Sequence, residues 1–374
     1  MGKKVMQSKI FVAATRQNDG KTTISLGFIN AFKKKFKRVG FIKPVGQRYI
    51  VEDGYKADED SVLIEKLCGM KCPLKYMSPI AIEKGFTEKY IKRGDRSLLV
   101  KNIVSSFKRI SRQKQLVIIE GTGHAGVGSV FDLSNAQVAN ILGAKVILVT
   151  AGGIGKPIDE VVLNMALFEK EGVDVIGVIV NKVIPSKYAK IKEVIKLGLK
   201  RKGIELLGVI PYIPQLSMPI IQHIIEETDI KLISRKVGMH NKIRNIFVGA
   251  MEPHDALDYI EKGSLLITPG DREDMLMTLL NAHLLKKPRR DISISGIILT
   301  GGIVPDPKIM MLIENAKIPV LLSKHHTYAT AGEIHDMAVK IRPEDKEKAK
   351  IATQLVERYV DIDKIAARVR IDAH

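Results

Sequence analysis

The sequence predicts an α/β protein in which a parallel sheet of the P-loop NTPase kind is followed by a smaller α/β domain. Three observations support this. Continuous apolar, β-rich runs alternate with helical stretches through the first half. One of those runs leads into a polar loop and then Gly20-Lys21-Thr22 at the start of a helix. A proline-rich connection then precedes a second alternating series. Strands that are apolar on both faces and separated by helices belong to parallel sheets covered on each side.

In order, the strand-like runs of the first half span 9–14, 39–43, 116–120, 146–150, 175–180 and 206–210. Between them, 3.6-residue periodicity predicts helices over 22–35, 60–67, 135–142, 157–171 and 187–202. Pro211, Pro214 and Pro219 make a stiff, extended connection, so the expected domains are 1–215 and 216–374. The second should contain strands over 243–249, 264–268, 293–300 and 319–322, with helices over 254–261, 271–285 and 307–316. Residues 344–370 read as a C-terminal helix of that second domain, broken near Asp361. No internal repeat or low-complexity segment interrupts the pattern.

Composition narrows the function classes. The chain has 374 residues, 45% of them hydrophobic, which suits two cores and excludes disorder. No apolar run approaches the roughly 18 residues of a membrane span. At the N-terminus, a strand and phosphate loop stand where a signal peptide would have its cleavage region, so a cytoplasmic protein is expected. Cys68 and Cys72, spaced C-x-x-x-C, match neither a two-residue redox spacing nor a four-ligand zinc site, and read as free thiols. The net charge of +19 attracts polyanions. Its lysines are scattered, however, with short clusters at 33–38 and 286–290. Aromatic content is 5% and tryptophan is absent, so the stacking residues of a single-strand binder are missing and nucleic acid is not the expected partner.

The motif that carries chemistry lies in Ile10-Phe11-Val12-Ala13-Ala14-Thr15-Arg16-Gln17-Asn18-Asp19-Gly20-Lys21-Thr22-Thr23. Successive backbone N–H groups and a helix N-terminus would face phosphates, and Gly20 lets the backbone come close. Lys21 is expected on phosphate oxygens and Thr22 on magnesium, which makes ATP with Mg2+ the expected ligand. Thr15 replaces the usual first glycine, so the G-x-x-x-x-G-K-T pattern is imperfect. Arg16 has two readings: a residue that reaches across a dimer, as a second lysine does in deviant P-loops, or an ordinary loop arginine. A magnesium site also needs carboxylates. Glu120, at the tip of a buried strand, is placed like a Walker-B acid. Asp60, opening a helix, is a second candidate, with Asp58 as competitor and helix capping as the alternative role.

These residues, with Phe41-Ile42-Lys43-Pro44-Val45-Gly46-Gln47, Ile119-Glu120-Gly121-Thr122-Gly123, Asn181-Lys182 and Gly208-Val209-Ile210-Pro211, resemble the dethiobiotin synthetase fold. The form of that fold at the N-terminus of long phosphotransacetylases is the most similar. In the second half, Gly270-Asp271-Arg272 and Leu299-Thr300-Gly301-Gly302 resemble the DRTGG domain that follows it there. The resemblance implies that Lys43 lies near the transferred phosphoryl group, that Asp60 and Glu120 bind magnesium, and that Asn181 contacts adenine. The loop after Pro211 would close over the base. It also implies that the dimeric pairing of the fold's relatives carries over to a homodimer; as a departure from those relatives, no acetyltransferase domain is expected in this sequence. The segment from Thr122 to Gly128 shows no recognisable diamino-acid pocket.

In the second half, Asp271 is placed as a helix N-cap and Arg272 for an anion or partner subunit. Gly301-Gly302 is placed for a tight turn, either as a second ligand or dimer site or as turn chemistry that the fold needs. His325, His326 and His335 read as surface or capping residues rather than metal ligands.

Three functions remain open on sequence grounds. One is an Mg-ATP-binding regulator or sensor with slow ATPase activity at most, acting on its own second domain or on a separate acyltransferase or other metabolic enzyme. Another is an ATP-dependent ligase in which Lys21, Lys43 and magnesium stabilise an activated carboxylate or carbamate electrostatically. The third is a basic nucleic-acid-binding protein with a nucleotide switch.

Overall fold

The computed structural model describes residues 7–285, 292–337 and 339–370. The basic cluster at 286–290 therefore lies outside the described residues. The chain divides into two compact units: one runs to Ile213 and resumes at Ile341, and the other is Pro214–Lys340.

The first unit is built on a six-stranded sheet. Its strands are β1 (Ser8–Ala14), β2 (Val39–Ile42), β3 (Leu116–Glu120), β4 (Lys145–Ala151), β5 (Val175–Val183) and β6 (Leu206–Pro211), in the order β6-β5-β4-β1-β3-β2. Every pairing is parallel, as the two-sided apolar runs require. The six strands coincide with the six expected ones. Its helices include α1 (Lys21–Lys33), α2 (Glu59–Cys68), α3 (Arg96–Ser111), α4 (Asn135–Leu142), α5 (Gly155–Lys170) and α6 (Tyr188–Arg201). From β3 the chain passes over β1 to reach β4, so strand order reverses around β1. Ligands of open parallel sheets bind at that point, beyond the C-terminal strand ends. A hairpin of Tyr49–Glu52 and Tyr55–Asp58, not anticipated from the sequence, leads into α2.

The second unit has a five-stranded sheet of β7 (Lys231–Leu232), β8 (Asn245–Val248), β9 (Ser264–Pro269), β10 (Ile294–Thr300) and β11 (Val320–Leu322), in the order β7-β11-β10-β9-β8. Only β7 runs antiparallel to its neighbour. The helices α7 (Ile221–Glu227), α8 (Pro253–Tyr259), α9 (Glu273–Leu285), α10 (Pro307–Asn315) and α11 (Thr327–Asp336) accompany it. Apolar clusters built around Leu266, Leu276, Ile297 and Val320, and around Leu265, Ile267, Ile298 and Leu321, fill its interior.

The C-terminal stretch departs from expectation. It forms α12 (Lys346–Tyr359) and α13 (Ile362–Arg370), with the break at Val360-Asp361 close to where it was expected. Both helices belong to the first unit, not to the second domain as expected from sequence order. The reason is visible in α1, which buries Ile24, Leu26, Phe28, Ile29 and Phe32 around nearly its whole circumference. A helix apolar all round needs cover on both sides, and α12 supplies the second with Ala352, Leu355 and Val356. The two helices meet so closely that a Cβ on Gly27 would lie 2.3 Å from Val356 Cγ2 and 3.1 Å from the Ala352 carbonyl oxygen. Asn30 Nδ2 donates to Thr353 Oγ1 at 2.9 Å. Val360 bridges Gly208 at the sheet edge, and Arg368 and Lys364 pair with Glu205 at 2.9 and 2.6 Å.

This docking also answers the basic cluster at 33–38. Lys34 pairs with Glu357 at 2.6 Å and Lys35 with Asp363, while Lys33 Nζ donates to the Cys68 carbonyl. Exposed pairs of this kind contribute little stability. Both cysteines are free thiols, and burial pushes Cys68 up to about 11, which makes it a poor nucleophile at neutral pH. No described helix is long and apolar enough to cross a membrane.

Replacing Gly27 with leucine should overpack the α1–α12 contact and lower stability by about 1–3 kcal/mol. Denaturant unfolding measures the loss, and limited proteolysis should show faster cleavage between residues 341 and 370.

Candidate nucleotide-binding site

The phosphate loop connects β1 to α1. Gly20 sits at the helix N-cap with φ 101°, a left-handed conformation natural to glycine. It is also crowded from outside, since a Cβ there would lie 2.2 Å from Asn181 Nδ2. The polar residues of the loop fix its shape. Thr15 Oγ1 donates to Asp19 Oδ2 at 2.9 Å, and the Arg16 amide donates to the same carboxylate at 2.9 Å. Thr15, in place of a glycine, thus supplies a side-chain brace that also reaches Thr150 Oγ1 at 2.9 Å. Lys182 Nζ donates to the Asn18 carbonyl at 2.7 Å.

The register of the sheet assembles the charged centre. Ile42 of β2 pairs with Ile119 of β3, so the next residues, Lys43 and Glu120, emerge side by side at the strand ends. The hairpin and α2 add Asp58 and Asp60. Lys43 Nζ contacts Asp60 and lies 3.0 Å from Asp58 Oδ1 and 3.6 Å from Glu120 Oε1. All four residues are buried. Asp58, the sequence competitor of Asp60, turns out to be the N-cap of α2, accepting from the Asp60 amide at 2.9 Å. Capping therefore falls to Asp58, and Asp60 in the first turn is left to face Lys43. Thr22 Oγ1 donates to Glu120 Oε1 at 3.0 Å, joining the phosphate loop to this cluster.

Burial and like charge set the electrostatics. Desolvation raises Glu120 from the ordinary 4.5 to about 7, with the neighbouring Asp60 charge adding to the rise and Lys43 opposing it. Desolvation, with help from Asp60, likewise raises Asp58 against the pull of Lys43. Burial alone would lower Lys43, but Asp60, Asp58 and Glu120 outweigh it and hold the ammonium charged. Lys21, buried with fewer acids about it, is instead lowered, chiefly by desolvation.

Glu120 Oε2 and Ser25 Oγ are buried without a well-formed hydrogen bond, and the Ser25 hydroxyl lies close enough to the carboxyl to favour its charged form. An orphaned carboxylate oxygen beside a threonine hydroxyl and a second carboxylate fits the donor set of a magnesium–phosphate site, where the protein supplies few ligands and phosphates and waters complete the shell. Thr22, Asp60 and Glu120 are the residues that would hold it. Among the described residues, no group of three or more His, Cys, Asp or Glu forms a metal cage by itself; the three acids surround an ammonium instead.

The remaining candidates fall around this centre. Asn181 ends β5 with Nδ2 donating to the Asp19 carbonyl at 2.9 Å, so it braces the loop from the side. Thr23 follows Thr22 in the first turn of α1, and Pro211 closes β6, half-buried. Arg16 forms an ion pair with Glu160 of α5 within the same chain. Several supports escaped the sequence reading. Asn135 holds the loop after β3 through the Thr122 amide at 3.0 Å and carbonyl at 2.7 Å. Asn164 accepts from the Ala125 amide at 2.8 Å. Neither is marked by spacing: Asn135 opens α4, whereas Asn164 lies in the middle of α5.

In the second unit, Pro269 pairs with Thr300 across β9 and β10, so Asp271, Arg272, Thr300, Gly301 and Gly302 follow adjacent strand ends. Gly301 and Gly302 adopt φ 75° and 68°, the tight turn expected of them. Asp271 is not at the helix start, since α9 opens at Glu273. Arg272 is held by Asp274 at 2.9 Å and by the Met251 carbonyl at 3.1 Å. His326 is a helix cap, its Nδ1 accepting from the Ala329 amide at 3.3 Å.

Comparison with known proteins agrees with this layout. A family model described as an AAA domain, AAA_26, matches residues 8–220. The chain belongs to that family. A second model, the DRTGG domain, matches residues 223–337, which leaves the stretch containing α12 and α13 outside it. This AAA-family chain is 28% identical over 375 residues to the phosphate acetyltransferase of Nitratidesulfovibrio vulgaris, covering 97% of this chain and 52% of that protein. It is 26% identical over 369 residues to the phosphate acetyltransferase of Synechocystis sp., covering 96% and 51%. The chain thus spans about half the length of the curated relatives it matches. A solved structure of the MinC:MinD cell division protein complex from Aquifex aeolicus is similar at 20% identity with a TM-score of 0.34, over 56% of this chain and 83% of that one; so slight a likeness has no bearing on function.

Glu120 gives the site a pH signature. Its folded value lies above the unfolded one, so its contribution to stability is present below pH 4.5 and is lost as pH rises to about 7. Glu120→Gln should gain stability relative to wild type across that window, by about 1–3 kcal/mol at pH 8. Urea unfolding of both proteins at pH 5 and pH 8 measures it; a difference independent of pH would contradict the assignment.

Proposed function

We propose that this chain binds Mg-ATP at the strand ends of its first unit and serves as a regulatory or sensing module, with slow hydrolysis at most. The carrying observation is the buried centre in which Thr22, Lys21, Lys43, Asp60 and Glu120 converge beside a phosphate loop. Lys21 would hold phosphate oxygens, and Thr22, Asp60 and Glu120 would hold the cation, which would neutralise phosphate charge. Asn181 and the segment after Pro211 would line the base. The regulatory use rests on the relatives: this chain corresponds to about half of proteins named phosphate acetyltransferase, so the module would act on an acyltransferase, joined to it or separate.

Calorimetry with ATP and magnesium tests the reading. Wild type should bind, and Lys21→Ala should weaken binding by about a hundredfold through loss of a charge-assisted contact. Absence of binding by wild type would refute it. Turnover that rises sharply with 7,8-diaminononanoate and bicarbonate would replace the regulator with a ligase. Binding should also release protons near pH 7, because Glu120 must be ionised to meet a cation. Affinity should therefore climb from pH 6 and level off above pH 7, and titration in buffers of different ionisation enthalpy reads the proton directly.

A further inference from the structure

We propose that Lys43 is a tethered cation that makes the site select a cation–triphosphate complex over a free divalent cation. The inference deepens the nucleotide-binding reading above and rests on it for the identity of the ligand.

The argument begins with where the ammonium lies. Lys43 Nζ contacts Asp60, lies 3.0 Å from Asp58 and lies 3.6 Å from Glu120. These include both carboxylates that a bound metal would need. With the lysine side chain 6% exposed, and those of the acids between 0 and 6%, solvent screens these charges weakly. A free divalent cation would have to separate Lys43 from Asp60, leaving it Asp58 alone, while the buried Lys21 ammonium, which also interacts with Asp60 and Glu120, gains no new partner. Taking one partner from a buried ion pair without replacement is strongly unfavourable.

A cation that arrives on a triphosphate changes this balance. The phosphate oxygens give both lysines new anionic partners at the moment the carboxylates turn to the metal. Exchange of partners within the cluster then leaves neither ammonium without an anionic neighbour. Three features around Lys43 suit such an exchange. Its backbone amide is anchored to the Met77 carbonyl at 2.8 Å, so only the side chain need move. Asp58 is held as the α2 cap. Glu120 keeps one oxygen without a well-formed hydrogen bond, with only the Ser25 hydroxyl nearby. Lys43 is thus a specificity residue whose effect on free metal and on nucleotide runs in opposite directions.

The test uses Mn2+ as the probe, followed as metal that co-elutes with the protein on rapid gel filtration, with and without a non-hydrolysable ATP analogue. Wild type without nucleotide should retain Mn2+ at least about tenfold more weakly than with it. Lys43→Gln should bind Mn2+ without nucleotide at least about tenfold more tightly than wild type, and bind the analogue more weakly. Lys43→Arg, which keeps the charge, should exclude free Mn2+ as wild type does. Equal Mn2+ retention by wild type and Lys43→Gln would overturn the proposal, as would nucleotide-independent retention by wild type. Should Lys43→Gln fail to fold, the wild-type comparison alone decides. If the analogue binds to no variant, the nucleotide reading fails, and the metal-only comparison of wild type with Lys43→Gln still judges the role of Lys43.

Discussion

One ammonium among three carboxylates, all withdrawn from water, is the interaction on which the site depends. Lys43, Asp58, Asp60 and Glu120 come from a strand end, a hairpin, a helix start and a second strand end. None of these charges would be tolerated alone at this depth. Each element is therefore held to its neighbours by the need to keep the others compensated. The hairpin is the clearest case. Asp58 N donates to Ser78 Oγ at 2.9 Å while its carboxylate both caps α2 and contacts Lys43, so an exposed two-stranded ribbon ends in a fixed position.

The parallel sheet makes this economy possible. Its register puts successive strand ends side by side, and its strand order reverses at β1, where the phosphate loop begins. Thr22, in the first turn of α1, then reaches Glu120. Asn181 approaches from the far side through β5 and presses on the loop at Gly20. The loop is thus supported on both flanks by strands that follow it by about a hundred residues or more.

Much of this was legible in the sequence because it is local. Two-sided apolar runs revealed all six strands of the first sheet, and Gly20-Lys21-Thr22 revealed the loop between the first of them and its helix. Asp60 and Glu120 stand out by their places at a helix start and a strand end, whereas Lys43 stands out only through the resemblance to dethiobiotin synthetases. What stayed hidden depends on contacts between distant segments. The pairing of Arg16 with Glu160 and the braces from Asn135 and Asn164 carry no spacing signal. The division of labour between Asp58 and Asp60 follows from where α2 begins, and boundaries are weakly encoded. The C-terminal helices were assigned to the wrong unit because sequence order suggested adjacency. A clue was present in α1, whose apolar residues leave no polar face, but it says only that something covers the helix.

The return of α12 and α13 to the first unit has a consequence for when, rather than where, the protein acquires its structure. The last cover of α1 and β1 arrives only after residues 214–340 have been made. A hydrogen bond from Ser8 to the Val369 carbonyl spans 361 residues. Contacts so remote in sequence are slow to form, and domains made earlier fold as units during synthesis. The second unit, continuous in sequence, can complete itself while the first still waits with α1 half-covered. The order of synthesis and the order of completion are therefore reversed: the unit that begins first finishes last.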